Sequence, residues 1–136
     1  MRKPFRLYVC VFASVLVAPF ALGHHSFAVH FVADKTVEVK GTVESFRFSN
    51  PHGILTFNTV DASGATVAWR AETNSPNVLR RRGWDRDALK PGDQITVTGF
   101  PARDGTSYMR ISKVIFADGH ELVGQAAPPT PEEEKD

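Results

Sequence analysis

The residues best equipped for chemistry in this chain are its five histidines, and two of them stand side by side. His24 and His25 follow an apolar run and a small residue in ALGHHSF. A cut after Gly23 would make His24 the amino terminus. Its α-amine and its imidazole Nδ1 belong to one residue, so they can close a single chelate ring. The amine has an ordinary pKa of about 7.7–8.0 and needs little encouragement to lose its proton. An imidazole from elsewhere would complete a T-shaped set of three nitrogens, a histidine brace. Neutral nitrogens in tetragonal geometry suit Cu(II) above other common divalent ions. His25, as second residue, offers a rival chelate through the amine, the deprotonated backbone amide and its imidazole.

Candidate partners follow from strand direction. His52 in NPHG, Glu72 in WRAE and His120 in DGHE each sit near the end of an expected strand: the first, third and fifth. In an up-down meander these three strands run the same way, which places the three residues toward one end of the sheet. About a dozen residues separate His24 from the first strand, a reach of roughly 40 Å when extended. His52 ranks first as partner and His120 second. His30, six positions from His24 on the same face of a strand, is too far for direct chelation. Each residue also has a plain reading. Terminal histidines are often solvated, His52 can fix its turn by a hydrogen bond, Glu72 can be an exposed strand-end carboxylate, and His120 a surface turn residue.

The elements that would position these residues begin after residue 23. Arg2, Lys3 and Arg6 precede the apolar LYVCVFASVLVAPFAL, which Pro19 breaks, and Ala21 and Gly23 occupy the small-residue positions of a signal-peptidase site. The expected organisation is a signal peptide over 1–23 and an N-terminal arm over 24–35. A β-barrel domain follows over 36–124, and an acidic, proline-rich tail expected to be disordered over 125–136. Cleavage would remove three of sixteen basic residues and none of fifteen acidic ones. The mildly acidic remainder argues against nucleic-acid or anionic-membrane binding. Cys10 would leave as well, so the exported domain would have neither a disulfide nor a thiolate ligand. A periplasmic or secreted location is expected.

Along the domain, HHSFAVHFVADK reads as a short extra strand or an arm laid on the barrel, with Phe27, Val29 and Phe31 alternating. TVEVKGTVESFRF reads as a long first strand whose Gly41 marks a bulge or bend. SNPHG is a turn, GILTFNTV the second strand, DASG a hairpin turn and TVAWRAE the third strand. SPNVLRRRG carries helix punctuation: Ser75 as N-cap, Pro76 at the first position, Arg80 to Arg82 in the last turn and Gly83 beyond it. DRDALKPGD reads as a further helical turn. QITVTGFPA and SYMRISKVIFADG are the fourth and fifth strands, and HELVG can add a short sixth. The fold class is therefore mainly β: a small five- to six-stranded OB-like barrel with one short helix between strands 3 and 4. A five-stranded sandwich with one helix is the alternative.

HHSFAVHF, SNPHG, WRAE, SPNVLRRRGW, PGDQITVTG and PARDG occur in this order along nearly the whole chain after residue 23. In this the chain resembles a bacterial family of small exported proteins of unknown function, marked by HHSF, NPH, W-x-x-E, SP-x-x-L-x-R-x-G-W, PGD and PARDG. Members often have an acidic residue soon after HHSFA, where this chain has Val29-His30-Phe31. The resemblance implies export and domain type but no activity.

Other groupings carry less. Trp69, Trp84, Phe46, Phe48 and Phe57 could form a base-stacking platform, yet at strand and helix-end positions they are expected in the core. Arg103-Asp104-Gly105 reads as turn chemistry. No Ser/His/Asp order, phosphate loop or cysteine nucleophile is present, so no enzyme is expected. Copper redox catalysis at the brace ranks a distant third among the readings. The leading expectation is an exported metal-binding carrier or chaperone-like protein that takes copper through His24, His25, His52 or His120, with the metal ion and a periplasmic protein as partners. The alternative is a metal-free OB-type binding module for a protein or small molecule. Its face would include Trp69, Glu72, Arg103 and Asp104, and HHSF would be an arm that packs through Phe27. Neither nucleic acid nor, after signal cleavage, a membrane is expected as partner.

Overall fold

The computed structural model describes residues 25–125. The expected signal segment, His24 and all but the first residue of the tail lie outside the described residues. Alternating apolar positions produce the strands β1 (Val37–Arg47), β2 (Ile54–Val60), β3 (Thr66–Glu72), β4 (Gln94–Pro101), β5 (Tyr108–Phe116) and β6 (Glu121–Val123). Two short helices accompany them, α1 (His25–His30) before β1 and α2 (Pro76–Arg80) between β3 and β4.

Strand order is β3-β2-β1-β4-β5-β6, and a parallel β3–β5 pairing closes strands 1 to 5 into a barrel. This is the mainly β, OB-like architecture expected from the sequence, with β6 as the extra strand on β5. Closure depends on β1 serving two neighbours. Val37 to Thr42 pair with β4, and Thr42 to Arg47 pair with β2. Gly41 sits just before this handover, where a Cβ would lie 2.5 Å from the Asn58 carbonyl oxygen. Any side chain there would push β2 away. The register shift itself falls between Val43 and Ser45.

Alternation turns Val43, Leu55, Phe57, Ala71, Val97, Met109, Ile111 and Val114 inward, and Leu79, Trp84 and Leu89 join the same core. Trp84 Nε1 also donates to the Val123 carbonyl at 2.8 Å, tying β6 to the turn after α2. α2 starts as expected at Pro76, but the Ser75 hydroxyl makes no capping bond; its carbonyl instead accepts from Val78 and Leu79 at 3.0 Å each. The further helical turn expected over DRDALKPGD is absent. Asp85 Oδ1 accepts the Asp87 amide and Asp93 Oδ2 the Lys90 amide, so side chains hold this stretch as successive turns. Among the described residues, no helix is long and apolar enough to cross a membrane.

The segment before β1 differs from the extended reading. Residues 25–30 are helical, and only Phe31 makes an isolated bridge, to Ala102. α1 rests on the outer side of the barrel as a second small apolar group. Phe27 meets Phe100 with ring centroids 5.4 Å apart, and Phe31 meets Tyr108 at 5.3 Å. Arg103 secures it from the β4–β5 turn, its Nε donating to the Ala28 carbonyl at 2.6 Å and its amide to the His30 carbonyl at 2.9 Å. Val29 points to solvent. In an extended strand it would lie beside Phe27 and Phe31, so its exposure is the mark of the helix.

Candidate functional site

The parallel β3–β5 pairing brings Glu72 into register with the opposite charge of Arg110, and Arg70 with Tyr108. Ala71, Met109 and Ile111 on these strands fill the core, so Glu72, Tyr108 and Arg110 belong to the outward-facing set. The outer face is nevertheless well covered here. Arg110 is buried and Glu72 half-buried.

Glu72 is held on both carboxylate oxygens. Arg110 Nη1 donates to Oε1 and the Tyr108 hydroxyl to Oε2. Arg110 also donates through Nη2 to Asn74 Oδ1 at 2.6 Å and through Nε to Gln125 Oε1 at 3.0 Å. Gln125, assigned to the tail by composition, is thus tied to the barrel, and its amide bonds Ser112 O at 3.2 Å. Burial lowers the pKa of Arg110, and Glu72 opposes that shift. Burial first, then the bond to Glu72, push the Tyr108 hydroxyl up to about 12, so it is a firm donor at neutral pH. Arg70 lies over the Tyr108 ring, 5.4 Å from its centroid.

His52 completes the group from the β1–β2 turn, which contains a cis Asn50–Pro51 peptide. Its Nδ1 is 3.1 Å from the Thr73 carbonyl and 3.5 Å from Arg110 Nη1. A carbonyl oxygen can only accept, so the shorter contact assigns the proton to Nδ1. In the neutral ring Nε2 then carries the lone pair, and in the protonated ring it is a second N–H, 3.6 Å from Glu72 Oε1 in either case. Thr73 is itself buried, its hydroxyl donating to Asn74 O at 2.9 Å. The His52 side chain is 44% exposed, which makes it the solvent-facing member of the cluster.

The residues expected to meet at one barrel end therefore separate into two groups. His52 and Glu72 come together. His120 does not join them: it stacks on Phe116, with centroids 3.9 Å apart, and its Nδ1 lies 2.7 Å from Asp118 Oδ1. The cause is the stagger of the barrel. β5 meets Glu72 at Arg110, six residues before its end, which leaves Phe116 about 20 Å further along. His25 opens α1, and His30 closes it with its imidazole exposed. Among the described residues, no three His, Cys, Asp or Glu side chains gather as a metal site.

The residues grouped as a ligand face are also divided. Trp69 stacks on Phe57 across β2–β3 at 6.3 Å and packs against the core, while Glu72 belongs to the other face of β3. Phe46 and Phe48 likewise pack against the core. Arg103 anchors α1. Asp104 accepts from the amide of Thr106 at 3.0 Å and from its hydroxyl at 2.7 Å, bonds that lower the Asp104 pKa. Gly105 follows at a φ of 74°, as the expected turn requires. Tyr108, Arg110, Asn74 and Gln125 were not singled out from the sequence. The alternation of Met109 and Ile111 in YMRI is the local signal that could have placed Tyr108 and Arg110 on the outward face, but their partner depends on β5 register.

The chain belongs to a family of unknown function (DUF6152), whose model matches residues 12–110. The resemblance to an uncharacterised family read from the sequence thus holds. The matched span includes His52, Glu72, Tyr108 and Arg110 and stops short of His120. A comparison with curated proteins found no match.

Proposed function

We propose that this member of the family is an exported carrier of a transition metal, Cu(II) by preference. The metal is taken by the amine and imidazole of His24 once residues 1–23 are cut away, and by Nε2 of His52. One observation carries this reading. His52 stands on the barrel face that α1 also occupies, the two linked by contacts running Phe31 to Tyr108 to Glu72 to His52. The chain directly before α1 is His24. The Nδ1–H bond to Thr73 O supports it further, because an outer partner on one ring nitrogen fixes the other as donor to a metal. His120 drops out as a partner because of its distance along β5, and His25 remains the rival chelate. A carrier role, with transfer to a periplasmic protein, fits a site of few ligands beside solvent.

The competing metal-free module retains Glu72 but loses its aromatic anchor, since Trp69 packs toward the core, and Arg103 is engaged in holding α1. The deciding experiment is the intact mass of the protein exported by its host, followed by Cu(II) titration. A chain beginning at His24 that binds one equivalent tightly is the expected result. One residue added before His24, or His52→Ala, should weaken binding at least tenfold, and His120→Ala should leave it unchanged. A different amino terminus, or weak binding by the exported form, overturns the reading.

A further inference from the structure

We infer that the outer edge of β3, at Thr66 and Ala68, takes an extended segment of a partner protein as an added strand. The segment has uncharged, β-branched side chains and a carboxylate at the end beside Arg70. In the antiparallel ladder with β2, the Asp61 amide donates to Ala65 O and the Thr73 amide to Gly53 O, each at 2.9 Å. Odd-numbered residues of β3 therefore turn their N–H and C=O toward β2, and even-numbered ones turn theirs away. Arg70 follows this parity. Its amide donates outward to Ser107 O at 3.0 Å, and from there to Glu72 the edge is covered by β5. Thr66 and Ala68 are exposed, and among the described residues no group bonds their outward N–H and C=O. Two donors and two acceptors thus stand in a row, a template for another strand.

The other outer strand shows how this fold protects an edge. On the free side of β6, Trp84 Nε1 donates to Val123 O at 2.8 Å, and Asn74 Nδ2 holds Gly124 O beside it at 3.0 Å. Edge strands otherwise avoid pairing by carrying lysine, proline or an inward charge. Ala65-Thr66-Val67-Ala68-Trp69 has none of these, and its threonine, valine and tryptophan favour extended chain.

Geometry limits the occupant. Ser107 already takes the Arg70 amide, so the added strand stops there, and the turn at Gly64, with a φ of 85°, bounds the other end. Between them lie about five residues of β3, a length of roughly 17 Å. The outer face alongside carries Thr66, Ala68 and, opposite Thr66 on β2, Val60, which is 67% exposed. Uncharged β-branched side chains match this stretch, and the small Ala68 leaves room for one of them. Arg70 is exposed over the Tyr108 ring and has no ion pair among the described residues, which favours a carboxylate at that end. A second copy fits less well. Antiparallel pairing of two β3 strands that matches Thr66 to Ala68 sets Gly64 of one opposite Arg70 of the other, the place Ser107 fills.

The test uses the chain from residue 24 onward, which keeps every described element, and the blocked peptide acetyl-Asp-Thr-Val-Thr-Val-Thr-Asp-amide. Aspartate at both ends presents one to Arg70 in either strand direction. With saturating peptide, amide exchange at Thr66 and Ala68 should slow about tenfold, while Val67 and Trp69, whose amides face β2, stay unchanged. Ala68→Pro removes an outward N–H that the fold does not use and should weaken binding about tenfold, with circular dichroism checking the barrel. Arg70→Gln should weaken it about threefold. The same peptide with every residue N-methylated should not bind unaltered protein. No protection of Thr66 and Ala68 up to about 1 mM peptide, equal binding of the N-methylated form, or binding that maps to another surface overturns the inference. Protection that rises with protein concentration alone also overturns it, and makes a second copy the occupant.

Discussion

Glu72 and Arg110 lie directly opposite one another in the only parallel strand pairing among the described residues, at the seam where the barrel closes. Their ion pair is a joint between β3 and β5 as well as the base on which His52 rests. Because both groups are largely removed from water, losing one leaves the other without its counter-charge. Arg110→Met should therefore destabilise the protein by about 3 kcal/mol. Urea unfolding followed by the fluorescence of Trp69 and Trp84 measures this. Adding Glu72→Leu to Arg110→Met should recover more than half of the loss, because two apolar side chains at a covered seam leave no orphan charge.

Alkaline pH should release the same joint through Tyr108. Its folded-state pKa is raised from an ordinary value of 10 to about 12, so folding favours the neutral phenol. That contribution is fully present below pH 10 and is lost as pH rises from 10 through 12. In a chain that begins at His24, Tyr108 is the sole tyrosine. Its titration can thus be followed directly by phenolate absorbance. Stability should fall over that window in wild type, and Tyr108→Phe should lose this part of the pH dependence.

α1 depends on two phenylalanines. Phe31 is buried between Phe27 and Tyr108, outside the main core. Phe31→Ala should cost about 3 kcal/mol if α1 unfolds together with the barrel. If α1 detaches first, urea unfolding of the barrel will barely shift and amide exchange within 27–32 will rise sharply. Hydrogen-exchange mass spectrometry separates the two outcomes. We expect the second, because α1 has few partners beyond Phe100, Tyr108 and Arg103.

The handover in β1 should tolerate no side chain. At Gly41 an added methyl would press on the Asn58 carbonyl at 2.5 Å and the Phe57 ring at 2.8 Å. Gly41→Ala should destabilise by about 2 kcal/mol through forced separation of β1 and β2. Thermal unfolding would reveal it as a lower Tm with an unchanged far-ultraviolet spectrum at low temperature.

Much of this architecture was readable from residue order. Strand alternation, the interior Gly41, Pro76 at the head of a helix and the DASG turn are local signals, and the elements formed where they stood. Asp61 illustrates the last of these, with Oδ1 accepting the Ser63 and Ala65 amides at 2.8 and 3.0 Å. The α1 segment shows where local reading becomes ambiguous. Phe27 and Phe31 are four apart, a spacing that shares one face in a strand and very nearly so in a helix. Only the docking of both rings on Phe100 and Tyr108, with Val29 left in solvent, decides between them.

The candidate site divides along the same line. By itself, the sequence determined that β1, β3 and β5 run one way and that His52 and Glu72 finish at the same end, because strand direction follows from a count of turns. It could not determine that Arg110 and Tyr108 would meet Glu72, or that His120 would be carried away from it. Those outcomes depend on how far β5 slides against β3 when the sheet curls into a closed barrel. That stagger is set by the packing of Met109, Ile111 and Ala71 in the shared core and by the tilt that closure imposes. Strand direction is a property of the chain order, whereas register belongs to the closed sheet.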